Sequence, residues 1–115
     1  ELSDRISLEL GRRVAEGLPG HPEWMDVARS NLARWRELHR GDRGYLAVLD
    51  EWDAILELPV RELLVLLCDA GERGQRLRPS SPFTGVLTAK EVWALKERVR
   101  AEYRNVIPAD IGAGK

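Results

Sequence analysis

Pro59-Val-Arg-Glu-Leu-Leu-Val-Leu-Leu-Cys68 is the stretch on which the fold class turns, because its apolar run suits a buried helix or a buried strand by spacing alone. Three features favour the helix. Proline fits a helix's first turn, leucine outnumbers the β-branched residues, and no second strand candidate exists to pair with it. Gly71 ends the segment. Since only Arg61 and Glu62 interrupt the apolar run from Val60 to Cys68, this helix is expected to be central, with neighbours on several sides. Cys68 is expected in the core, as a small hydrophobe.

Working outward from it, the segment just upstream carries Tyr45, Val48, Leu49, Trp52, Ile55 and Leu56 at helical spacing, with Asp42 as cap. Before that, Pro22 opens a helix expected over about 22–40, and Trp24, Ala28, Leu32 and Trp35 face inward. A first helix over about 3–17 bears a stripe of Leu2, Ile6, Leu10, Val14 and Leu18, each four apart. Downstream, Glu72 to Gly85 holds two prolines, three arginines and the isolated apolar anchors Leu77 and Phe83. It reads as a long connection with a helical turn at 72–78, and loops of that length are commonly functional. Thr88-Ala-Lys-Glu91 has the spacing of a capping box and starts the last helix. The expected fold is therefore all-α: a compact bundle of about five helices with a long Pro/Gly/Arg loop before the last one. Residues 1–107 form a single helical domain and 108–115 a flexible C-terminal tail.

Composition narrows the function. The 115 residues are 43% hydrophobic, which is enough for a core, and carry a net charge of −1, which excludes a uniformly basic nucleic-acid binder. One cysteine excludes an intrachain disulfide framework and a Cys-rich zinc site. No apolar run approaches the roughly 18 residues of a membrane span, and no basic-then-apolar leader opens the chain. A reducing, cytoplasmic location without membrane contact is the expectation.

Little in the sequence points to catalysis. His21 and His39 stand at opposite ends of one expected helix, about 27 Å apart, so they share no metal. Asp50, Asp53 and Glu57 form a row on one helix face with no facing row and no Glu-x-x-His pair, the pattern of a solvated surface. Ser80 and Ser81 have no local acid–base partner, and no phosphate-cradling glycine loop is present. No metal, no cofactor and no catalytic residue is expected on the main reading. Charge is unevenly spread: residues 29–43 hold five arginines against two acids, while 50–57 hold four acids and no base. Such a pattern suits docking on a complementary partner. Direct DNA readout lacks a suitable recognition helix, so a DNA-binding autoregulator is an alternative and nucleic acid is not the favoured partner. Among the four tryptophans, Trp24 and Trp93 are the ones expected at a self-association surface, which would allow a homodimer.

Two resemblances add direction. Arg34-Trp-Arg-Glu-Leu-His39 resembles the Arg-x(4–6)-His signature of HEPN ribonucleases, small helical bundles often found as bacterial toxins. That resemblance implies a ribonuclease in which His39 moves a proton and Arg34 holds phosphate, although Trp35 stands where the family usually has a polar residue. Across residues 22–97, Asn31-Leu-Ala-Arg-Trp35, Trp52, Arg76-Leu-Arg-Pro-Ser-Ser-Pro-Phe-Thr-Gly85 and Glu91-Val-Trp93 resemble small bacterial all-helical proteins found beside nucleotidyltransferase-like toxins. This second resemblance implies a non-enzymatic, antitoxin-like module that binds and neutralises a cognate toxin. Arg73, Arg76, Arg78, Ser80, Ser81 and Phe83 are its expected partner-binding residues, on an exposed recognition loop. The structural alternative is a strap that Leu77 and Phe83 pin to the bundle, its arginines paired with acids of the third helix.

Overall fold

The apolar stripe of the first helix organises the rest of the chain. In the computed structural model, which describes residues 1–113 and their side chains as far as Asn105, α1 spans Leu2–Gly17. It packs against α4 (Val60–Leu67) and α6 (Ala89–Ala113). Between these, α2 (Glu23–Leu38) and α3 (Arg43–Leu56) form a hairpin, and the short α5 (Glu72–Leu77) leads through a 3-10 turn at Arg78–Ser80 back onto α1. No strand occurs among the described residues. The tail expected over 108–115 lies outside the residues whose side chains are described.

Local chemistry accounts for the helix starts. The Asp42 carboxylate accepts from the Tyr45 N–H at 3.0 Å, capping α3 as its sequence suggests. At α6 the capping box closes in both directions: Glu91 N–H donates to Thr88 Oγ1 at 3.1 Å, and Thr88 N–H donates to Glu91 Oε1 at 3.2 Å. Before α5, Asp69 accepts from the N–H groups of Gly71 and Gly74. That tether, with Glu72 in the first turn, makes a true helix of a segment expected to hold only a turn. Six α-helices therefore stand where about five were expected.

The core gathers Leu32, Leu49, Trp52, Ile55, Leu63, Leu67 and Leu77, each at most 2% exposed. At about 1.5–3 kcal/mol per buried side chain, this cluster is the main source of stability. The Trp52 indole also donates to the Leu77 carbonyl at 3.2 Å, which ties α3 to the end of α5.

The opposed charge blocks meet inside the molecule. Arg36 of α2 bonds both Asp50, at 2.7 Å, and Asp53 of α3, while Arg29 lies 3.7 Å from Glu57. The crossing order, early in α2 to late in α3, follows from the antiparallel hairpin. The acidic row of Asp50, Asp53 and Glu57 is thus partnered by Arg29 and Arg36 of its neighbour helix, while Glu51 is left to Arg76 of α5.

Three expectations are corrected. The α4 helix is not surrounded: Leu63, Leu66 and Leu67 are buried, but Val60 and Val65 are 53% and 66% exposed. Cys68, at the end of α4, is exposed and outside the core. Trp24 is buried, as its inward helical spacing predicts and against its place at a self-association surface, its ring over Gly17 and stacked on His21 at 4.6 Å, whereas Trp93 is exposed as expected.

Candidate functional site

The segment after α5, singled out as a recognition loop, is anchored at nearly every residue. Gly85 is the one described residue with positive φ (+93°), and it lets the Phe83–Val86 turn reverse the chain towards α6. Phe83 is 2% exposed and part of the core, not a docking aromatic. Arg78 is buried as well: Nε donates to Ser7 Oγ at 3.0 Å and Nη1 donates to the Asp69 carbonyl. Ser80 and Ser81, expected to be exposed, are half-buried. The Ser80 hydroxyl donates to the Leu77 carbonyl, and the Ser81 hydroxyl accepts from the Phe83 N–H.

Arg76 and Arg73 remain at the surface, on α5. Arg76 pairs in two-pronged fashion with Glu51 of α3, at 2.8 and 2.9 Å, and the guanidinium holds the Glu51 carboxyl below its ordinary range. Arg73 adds a weaker Coulombic pull on the same carboxylate and makes no ion pair among the described residues. Of the six residues proposed for partner binding, the structure brings Arg76 and Arg73 together near Glu51 and spends Arg78, Ser80, Ser81 and Phe83 on internal contacts.

Asn31 explains why the strap lies where it does. Buried on α2, its Nδ2 donates to the carbonyls of Pro82, at 2.8 Å, and Thr84, at 3.0 Å, and its Oδ1 accepts from Arg34 at 2.8 Å. Arg34 is therefore turned towards Asn31 and the strap. His39 ends α2 and rests against Tyr45 of α3, ring centroids 4.3 Å apart. Five residues of helix put the two about 140° apart around the axis, and they share no partner among the described contacts.

The surface that the pattern of residues did not single out is the outer side of α4. At 100° per residue, Arg61, Val65 and Cys68 face outward, flanked by the exposed Val60, while Leu64 turns partly back onto the core. Leu58, 38% exposed, extends the apolar area at the α3–α4 corner. The signal was present in the chain, since an eight-residue helix about 12 Å long that is apolar nearly all round has too little length to be enclosed on every side by such a small bundle. Among the described residues no helix is long and apolar enough to cross a membrane, and no group of His, Cys, Asp and Glu is placed to hold a metal ion.

Comparison with protein families, with curated proteins and with solved structures finds no match to this chain.

Proposed function

We propose that the chain is a non-enzymatic protein-interaction module that docks through the outer side of α4, with a nucleotidyltransferase-like toxin as its cognate partner. The observation that carries the reading is the exposure of Val60, Val65 and Cys68 on a helix whose opposite side is firmly held by α1. Exposed apolar area gathered on one helix costs solubility, and such patches mark docking sites. Arg61, exposed in the first turn beside Val60, is the kind of residue interfaces favour, and it calls for an acid on the partner. The mode is that of a helix laid in an apolar groove. The partner's class rests on the resemblance of residues 22–97 to proteins found beside such toxins.

The test is co-expression with the product of the neighbouring gene, which the reading expects to be nucleotidyltransferase-like, followed by purification of the complex and light scattering. A 1:1 or 2:2 complex is expected from the wild type, and none from Val65→Asp or Val60→Asp, whose circular dichroism and melting are unchanged. A complex that survives both substitutions refutes the docking face. A chain that forms only its own dimer through α4, with no hetero-complex, refutes the toxin reading.

A further inference from the structure

A second feature stands apart from the α4 face. Arg78 is the one buried charged residue among the described side chains, at 8% exposure, and it has no carboxylate partner there. Burying a guanidinium costs several kcal/mol unless an anion or a full set of acceptors compensates it. Of its five N–H donors, the Nε one goes to Ser7 and one on Nη1 to the Asp69 carbonyl. Nη2 has no acceptor among the described residues and is open to solvent, since no buried side-chain nitrogen there is left without a partner. The Asp69 carboxylate makes no ion pair with it; its two oxygens accept the main-chain N–H groups of Gly71 and Gly74.

The chain makes room for this guanidinium. A Cβ on Gly74 would overlap the Asp69 carbonyl oxygen and crowd Arg78 Nη1 at 2.8 Å, so the glycine serves the backbone approach and the guanidinium together. Arg78 lines a cleft of about 410 Å³ between α1, the strap and α6. Its walls are apolar, with Ile6, Leu10, Phe83 and Val92 prominent, and Lys96 adds a second cation; none of its lining residues is acidic. Lys96, like Arg78, makes no ion pair among the described residues. A neighbouring cleft of about 430 Å³ is the contrast: there Arg12, Arg13 and Arg98 pair with Glu9 and Glu91, and Glu16 in the same lining completes the charge balance.

We propose that the Arg78 cleft binds a small organic acid, a single carboxylate carried on an apolar body. The carboxylate would accept from Arg78 Nη2, with Lys96 as the second cation, and the body would lie along Ile6, Leu10 and Val92. A planar guanidinium edge matches a carboxylate, and a volume of this order is that of small-ligand pockets. One guanidinium edge and one lysine in an apolar cleft suit a monoanion with a tail better than a free phosphate dianion.

The experiment is an NMR titration of the full chain with octanoate, beside 1-octanol, octyltrimethylammonium and inorganic phosphate. Octanoate is expected to shift the Arg78 Nε–H and the Leu10 and Val92 methyl signals saturably, while the three controls leave them unmoved. Arg78→Met should weaken octanoate at least about tenfold, as expected for a lost charge-assisted hydrogen bond. Because that substitution also removes an internal tie, Lys96→Met serves as the second variant, with the fold intact and octanoate weakened several-fold. Absence of saturable shifts overturns the proposal. So does equal binding of octanol or the ammonium, or binding of phosphate as strong as that of octanoate.

Discussion

Arg76 clasps Glu51 with both guanidinium nitrogens, Nη1 to Oε1 at 2.8 Å and Nη2 to Oε2 at 2.9 Å, and so joins α5 to α3 across 25 positions of sequence. The pair adds a surface tie to a stretch that Leu77 and Phe83 already anchor in the core. It also gives the fold an acid-sensitive joint.

Glu51 is held below the ordinary carboxylate range chiefly by the Arg76 hydrogen bond, and Glu91 chiefly by the Thr88 main-chain N–H. A depressed folded-state pKa means that the unfolded chain takes up protons first on acidification. The stabilisation is complete above the unfolded glutamate value, about 4.3, and is lost as pH falls through the folded values. Urea midpoints measured from about pH 6 down to about pH 3 should therefore fall steadily. Glu51→Gln should lower the midpoint at the upper end and flatten the acid limb; superimposable limbs would contradict the assignment.

Asn31→Ala removes the two donors that hold the Pro82 and Thr84 carbonyls and strands a buried acceptor. Destabilisation of about 2 kcal/mol is expected, with amide protection lost first over Phe83–Val86. Asn31→Asp should be worse still, since it keeps the Arg34 acceptor but faces two carbonyls with an anion. Hydrogen exchange followed residue by residue checks both.

At Gly11 the backbone of α1 runs so close to α4 that a Cβ would overlap the Leu67 carbonyl oxygen. Gly11→Ala should cost about 1–3 kcal/mol in chemical denaturation despite alanine's better helix propensity. Gly20→Ala, where nothing lies within 4 Å, is the matched control and should be nearly silent.

Cys68 is exposed at the end of α4, so a thiol-disulfide reagent should label it completely in the native protein without denaturant. Labelling that appears only on unfolding would restore the core position expected from the apolar run. A bulky label at Cys68 should also block the proposed partner, because that residue lies in the outward row of α4.

The candidate surfaces were unevenly legible in the chain. Leu77 and Phe83 could be read as anchors, and the arginine pairing with α3 as an option, because isolated apolar residues in a polar loop need burial. Which arginine stayed outside was not readable: Arg76 and Arg78 are two residues apart, yet one reaches Glu51 and the other is buried beside Ser7. The choice depends on where α1 and α3 come to lie relative to α5.

Helix type and starts belong largely to the chain alone, because caps, prolines and apolar spacing act within a few residues of one another: the Asp42 cap is wholly local, and the Thr88–Glu91 box closes locally while the other Glu91 oxygen pairs with Arg13 of α1. Which face of α4 was covered, which charge was buried at Arg78, and that the basic block of α2 would be answered by the acids of α3 were decided only when the helices packed. Burial and charge pairing depend on neighbours far away in sequence, and periodicity records how apolar a face is but not whether anything will come to cover it.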